Sequence, residues 1–143
     1  MSPLLRALTY SHASLESVTQ AMLLRCYIAL DAFRRGHGSR DLFLALGRTL
    51  LIAEELGRFG HWAGALSEIE SAQAALIRIN AEEHAGDGWR VCDADYLALS
   101  TALAVFSEQL NAASVNDIAK AQAQMLEGLL ASERATRQVK ELA

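Results

Sequence analysis

Apolar residues recur along this chain at three- and four-residue spacing, and glycine-rich junctions interrupt the rhythm; the pattern predicts helices throughout. Leu15, Val18, Met22, Cys26, Ala29 and Phe33 form the stripe of a first helix running from about Ser11 or Ser14 to Arg35. Leu23, Leu24, Tyr27, Ile28 and Leu30 widen that stripe beyond one core-facing line, a surplus that suits a central helix or one that meets a partner. The helix is expected to stop at RRGHGS. Gly36 there can adopt the left-handed conformation, and Arg34, Arg35 and His37 complement the negative end of the helix dipole.

Ser39 is placed to cap a second helix, with Asp41 in its first turn. Leu42, Leu46, Thr49, Leu50, Ala53 and Leu56 share one of its faces, and it ends around ELGRFGHW. A third helix reaches about His84 with Leu66, Ile69, Ala72, Leu76 and Ile79 as its stripe, and stops at HAGDG. The fourth covers about Asp93 to Asn111, with Leu97, Leu103, Phe106 and Leu110 inward and Asp93 as its N-cap. The fifth begins at Ser114, capped in the manner of a capping box with Asp117 three residues on. Ile118, Ala121, Met125 and Leu129 line its core face, and beyond Ala131 an exposed or fraying helical tail is expected.

Junctions this short favour antiparallel neighbours. The expected fold is therefore all-α, an antiparallel up-and-down bundle of four to five helices. It divides into an N-terminal extension (1–10), a bundle domain (11–131) and a charged tail (132–143). Composition agrees: alanine supplies 26 of 143 residues and Pro3 is the only proline, so nothing downstream removes a backbone donor.

The two cysteines, Cys26 and Cys92, have no framework spacing and are expected to stay reduced. Every segment is punctuated by charge, and the N-terminal residues lack the pattern of a secretory signal; the chain is expected to be cytoplasmic and to span no membrane. With 13 basic against 17 acidic residues the chain is mildly acidic, but the charge is uneven. Six arginines lie between Arg25 and Arg58 against four carboxylates, whereas Gly60 to Ala112 carries two basic residues against eight acidic ones. Opposed patches of this kind either dock a partner or are solvated faces.

The stretch GWRVCDADYLAL is the richest in chemistry, with Cys92, Asp93 and Asp95 beside Trp89 and Tyr96. Zinc sites use close pairs such as C-x-x-C or H-E-x-x-H, and di-iron bundles use E-x-x-H; none occurs here. In an alternating bundle His37 and His84 share one pole with Cys92, Asp93 and Asp95, while His61 lies at the other. Simpler structural roles also account for these residues. His37 and His84 sit at helix C-termini, Cys26 lies on an apolar stripe, and the two aspartates start a helix. Trp89 is expected to lay its ring over the end of the bundle. No catalytic, cofactor-binding or metal-binding residue is assigned.

RRGHGSRD offers arginines and glycines ahead of a helix N-terminus, a setting that suits a phosphate or an acidic partner as well as plain capping. SVNDIAKA resembles the first helix of helix-turn-helix regulators, yet QAQMLEGLL continues without their turn. The segments ALDAFRRGHGSRD and GWRVCDADYLAL resemble small helical proteins of unknown function from bacterial accessory regions such as plasmids and prophages, some of them labelled regulators. The likeness covers residues 20 to 130 through an R-x-G-x-G-S junction and a W-x-V-x-D-A-D phrase. It implies a regulatory or anti-defence accessory protein and carries no functional residue across.

The sequence thus points to a non-enzymatic module acting through protein–protein contacts, expected to form a homodimer, with Arg34, Arg35, His37 and Arg40 as the contact patch. The alternative is a DNA-binding transcriptional regulator using the same arginine-rich loop as a dimer.

Overall fold

A computed structural model of the chain describes residues 2–84 and 88–142, apart from the side chains of residues 5–18 and 84. Among the described residues it is an all-α bundle: α1 (Pro3–Arg34), α2 (Arg40–Arg58), a 3-10 turn (Ala63–Ala65), α3 (Leu66–His84), α4 (Asp93–Ala112) and α5 (Val115–Leu142). No described helix is long and apolar enough to cross a membrane.

The first helix starts at Pro3, well ahead of Ser11. Proline suits a first helical position because its missing N–H has no partner there anyway, and PLLRAL continues with good helix formers. Residues 3–10, expected as an extension, therefore belong to α1. The side chains of Leu15 and Val18, assigned to its apolar stripe, lie outside the described residues.

α1 and α2 both end in the same way. Gly36 takes φ 76° and lets His37 N–H reach back to the Ala32 carbonyl at 2.8 Å; Gly60 takes φ 97° and lets His61 N–H reach the Leu56 carbonyl at 3.0 Å. These are six-to-one closures of the Schellman type. They explain why the two Gly–His junctions look alike without any duplicated unit.

The core has two parts. At one end Cys26, Ala29, Leu30 and Phe33 of α1 pack against Leu46 and Leu50, against Ala72, Leu76 and Ile79, and against Leu99 and Leu103. At the other end Ile52 and Leu56 meet Ile69, Phe106 and Leu110 together with Ile118, Ala121 and Met125 of α5. Buried polar groups tie these parts to the surrounding helices. The Thr49 hydroxyl donates to the Ala45 carbonyl (2.9 Å), so the Cys26 thiol is the donor in its 3.2 Å bond to Thr49; burial pushes that thiol's pKa up. Gln109 Nε2 donates to the carbonyls of Ala53 (2.9 Å) and His61 (3.1 Å), fastening α4 to the end of α2.

Two positions depart from the expected stripes. In α4, Leu97 is 67% exposed and Leu99 is fully buried. That helix is apolar on most of its circumference, and the inward face is fixed by Asp95, which lies in line with Leu99, Ala102 and Phe106 and is itself buried. In α5, Leu129 is 37% exposed, and every described residue after Met125 is exposed, up to the helix end at Leu142. Leu24, Tyr27 and Ile28 of α1 are also exposed, whereas Leu23 packs on the core.

A candidate partner-binding pole

One end of the bundle gathers the α1–α2 junction and the lead-in to α4. Its foundation is aromatic. The Trp89 ring lies against Phe33 edge-on, with centroids 6.1 Å apart, and against Phe43 at 5.4 Å. Gly38 passes over this pair so closely that a Cβ on it would sit 2.4 Å from the Phe33 ring and 2.7 Å from Trp89 Cβ. Glycine is required there by space. Trp89 does close the end of the bundle, as its position after the glycine-rich loop implied.

On this base stand the four residues singled out from the sequence, all of them exposed. Arg34, the last residue of α1, holds its guanidinium 4.7 Å from the centre of the Tyr96 ring on α4, a cation–π contact that orients a long side chain. Arg35 pairs with Asp31 one turn back at 3.1 Å, with both side chains more than half exposed. His37 follows Gly36 in the turn, and Arg40 opens α2 beneath the Ser39 cap, whose hydroxyl accepts from Leu42 N–H at 3.2 Å. The junction brings the four together on one short stretch of backbone.

Two neighbours escaped the sequence reading. The side chain of Arg90 lies over Gly36, its Nε 3.6 Å from where a Cβ would be, which adds another guanidinium to the pole. Tyr96 supplies the aromatic face under Arg34. A signal for Arg90 existed, since an alternating topology puts it at the same pole as Arg34; Tyr96 stood out in the GWRVCDADYLAL stretch, but nothing there pointed to Arg34 as its partner.

Both aspartates lie in the first turn of α4, but the cap needs a correction. The N-cap of α4 is Cys92, whose Sγ accepts from Asp95 N–H at 3.5 Å, and Asp93 is the first helical residue. Asp95 is buried and takes two bonds from Arg78 on α3, at 2.6 and 3.2 Å. That carboxylate raises the Arg78 pKa above its ordinary value. The pair therefore splits into an exposed helix start and an interhelix ion pair.

Of the residues expected to share this pole as potential metal ligands, the His84 side chain lies outside the described residues, and Asp95 is committed to Arg78. Among the described residues no three His, Cys, Asp or Glu side chains come together as a metal site. At the other pole His61 Nε2 meets Asp117 Oδ2 at 2.8 Å, and that bond holds the Asp117 carboxyl below its ordinary value. Asp117 N–H also donates to Ser114 Oγ at 3.1 Å, the expected cap of α5.

The chain matches no protein-family model, no curated protein and no solved structure. Chemistry at the pole must therefore be read from its side chains alone. Guanidinium groups stay charged and offer several donors in a fixed fork, so they bind carboxylates and phosphates and do not move protons. Asp31, paired with Arg35, sets a carboxylate among them, and the pole is a mixed polar surface rather than a basic stripe.

Proposed function

We propose that this domain is a non-enzymatic, cytoplasmic regulatory module that binds another protein through the pole formed by Arg34, Arg35, His37 and Arg40. The observation that carries the reading is the exposure of these four side chains on a junction held rigid by Phe33, Phe43 and Trp89. Arg34, oriented over Tyr96, loses less freedom on binding than an unrestrained arginine would, and arginine is enriched where interfaces draw their energy. A role in an accessory element, as regulator or anti-defence protein, fits the resemblance of the two flanking segments. Affinity capture from source cells with the wild-type chain and an Arg34→Glu/Arg35→Glu variant tests it. The variant should lose the partner, and an unchanged set of captured proteins would overturn the patch.

The DNA-binding reading draws on Arg90, which places a further guanidinium beside the same residues. Titration of duplex DNA at two salt concentrations separates the two readings, because phosphate contacts give steeply salt-dependent affinity. Absence of binding at low salt would eliminate DNA.

A further inference from the structure

A groove runs between α2 and α5; it shares Phe43 with the aromatic base of the pole but none of the four exposed pole residues. Leu44, Gly47 and Leu51 form one wall, and Leu129 with Thr136 the other; this part holds about 580 Å³. Past Leu51, Leu129 and Ser132 it continues toward Glu54 and Arg58 as a narrower stretch of about 270 Å³. The groove exists because α5 joins the core only as far as Met125, while its remaining turns run beside α2 with every residue exposed.

Two features show what would fill it. The first is the placement of Gly47 and Gly128, one on each helix and both lining the groove. Glycine is a poor residue in a helix interior. A Cβ at either position would meet nothing within 4 Å, so no packing within this chain requires glycine there. What the two glycines leave is room for another backbone to come close.

The second feature is charge. Arg48, Arg137 and Lys140 line the wide end against one carboxylate, Glu133. Among the described residues none of these three cations makes an ion pair, although Arg35, Arg58 and Arg78 all do. A trough with apolar side chains along its α2 wall and an excess of positive charge, three cations against Glu133, is complementary to an amphipathic helix that is acidic at one end, a recurring mode of recognition. A small ligand would stay largely exposed in a trough open along its length, whereas binding sites for small molecules bury most of their occupant.

We propose that the α2–α5 groove receives an amphipathic helix of a partner protein, apolar along one stripe and acidic in its first turn. This rests on the module being a protein binder but uses none of Arg34, Arg35, His37 or Arg40. The probe is a fluorescein-labelled synthetic peptide of about 18 residues, five helical turns. It carries leucines at i, i+3, i+4 and i+7 spacing and glutamates in its first turn, and a twin carries lysines there instead.

Fluorescence anisotropy should show the glutamate peptide binding about tenfold or more tighter than its twin. Arg137→Glu/Lys140→Glu should reverse that order, and Gly47→Trp should weaken both. Arg34→Glu/Arg35→Glu should change neither. If neither peptide binds, if both bind alike, or if only the Arg34/Arg35 variant abolishes binding, the groove is not the site. The last outcome would leave the pole reading standing while removing this one.

Discussion

Replacing Gly38 by alanine adds a single methyl group at the most crowded point of the pole. The new Cβ would lie 2.4 and 2.5 Å from two atoms of the Phe33 ring and 2.7 Å from Trp89 Cβ, distances at which something must shift. Phe33 cannot retreat, being fully buried against the core. Trp89 is held between Phe33 and Phe43, and its Cβ moves only with its backbone. Overpacking of this kind costs about 1–3 kcal/mol, and two unyielding neighbours place Gly38→Ala in the upper part of that range.

Two other glycines serve as internal controls. Gly36→Ala meets only the Arg90 side chain at 3.6 Å, so its cost comes from φ 76° and amounts to about 1 kcal/mol. Gly47→Ala removes a helix-interior glycine with open space around it and should stabilise by about 0.5–1 kcal/mol. Urea unfolding followed by far-ultraviolet circular dichroism reads all three. With slopes of about 1–3 kcal/mol per molar, a 2 kcal/mol loss moves the midpoint by roughly 1 M. A Gly38→Ala midpoint at or above that of Gly36→Ala would refute the packing account.

Capping and pH supply further tests. Cys92→Ser should stabilise by about 0.5 kcal/mol, since serine is a favoured N-cap and the present sulfur bond is long at 3.5 Å. Asp93→Ala should cost only about 0.3 kcal/mol, a loss of charge–dipole attraction; a thermal-denaturation loss near 1 kcal/mol would restore Asp93 as the cap. Asp117 has its pKa lowered by the His61 bond, so its contribution is present above the ordinary carboxyl value of 3.8 and is lost as pH falls through the still lower folded value. The wild-type advantage over Asp117→Asn should shrink in that acid range. Stability curves that stay parallel down to the acid limit would show that the contact contributes nothing.

The five helices, their junctions and the caps Ser39 and Ser114 were legible because each rests on local chemistry: period, glycine, hydroxyl. Failures arose where tertiary contacts decide. Nothing within α4 says that Asp95 turns inward, because its partner is Arg78 on another helix; the inward face then moves from Leu97 to Leu99. Cys92 does not stand out as the cap because sulfur is a rare acceptor at that position and an aspartate stands next to it. Leu129 keeps the spacing of Ile118 and Met125 yet borders a groove, since periodicity records which face is apolar and not how far the neighbouring helix follows it. At the pole, the clustering of Arg34, Arg35, His37 and Arg40 followed from adjacency in sequence, but Arg90 and Tyr96 needed the fold.

The late turns of α5 are helical yet outside the core, and an isolated helix of that length is marginal in water. Their backbone amides should exchange with deuterium long before those of α3 and α4, through local fraying that leaves the rest folded. One wall of the groove is therefore less cooperative than the helices that build the core. A docked helix would have to slow that exchange, so occupancy would be visible as amide protection confined to the last turns of the chain.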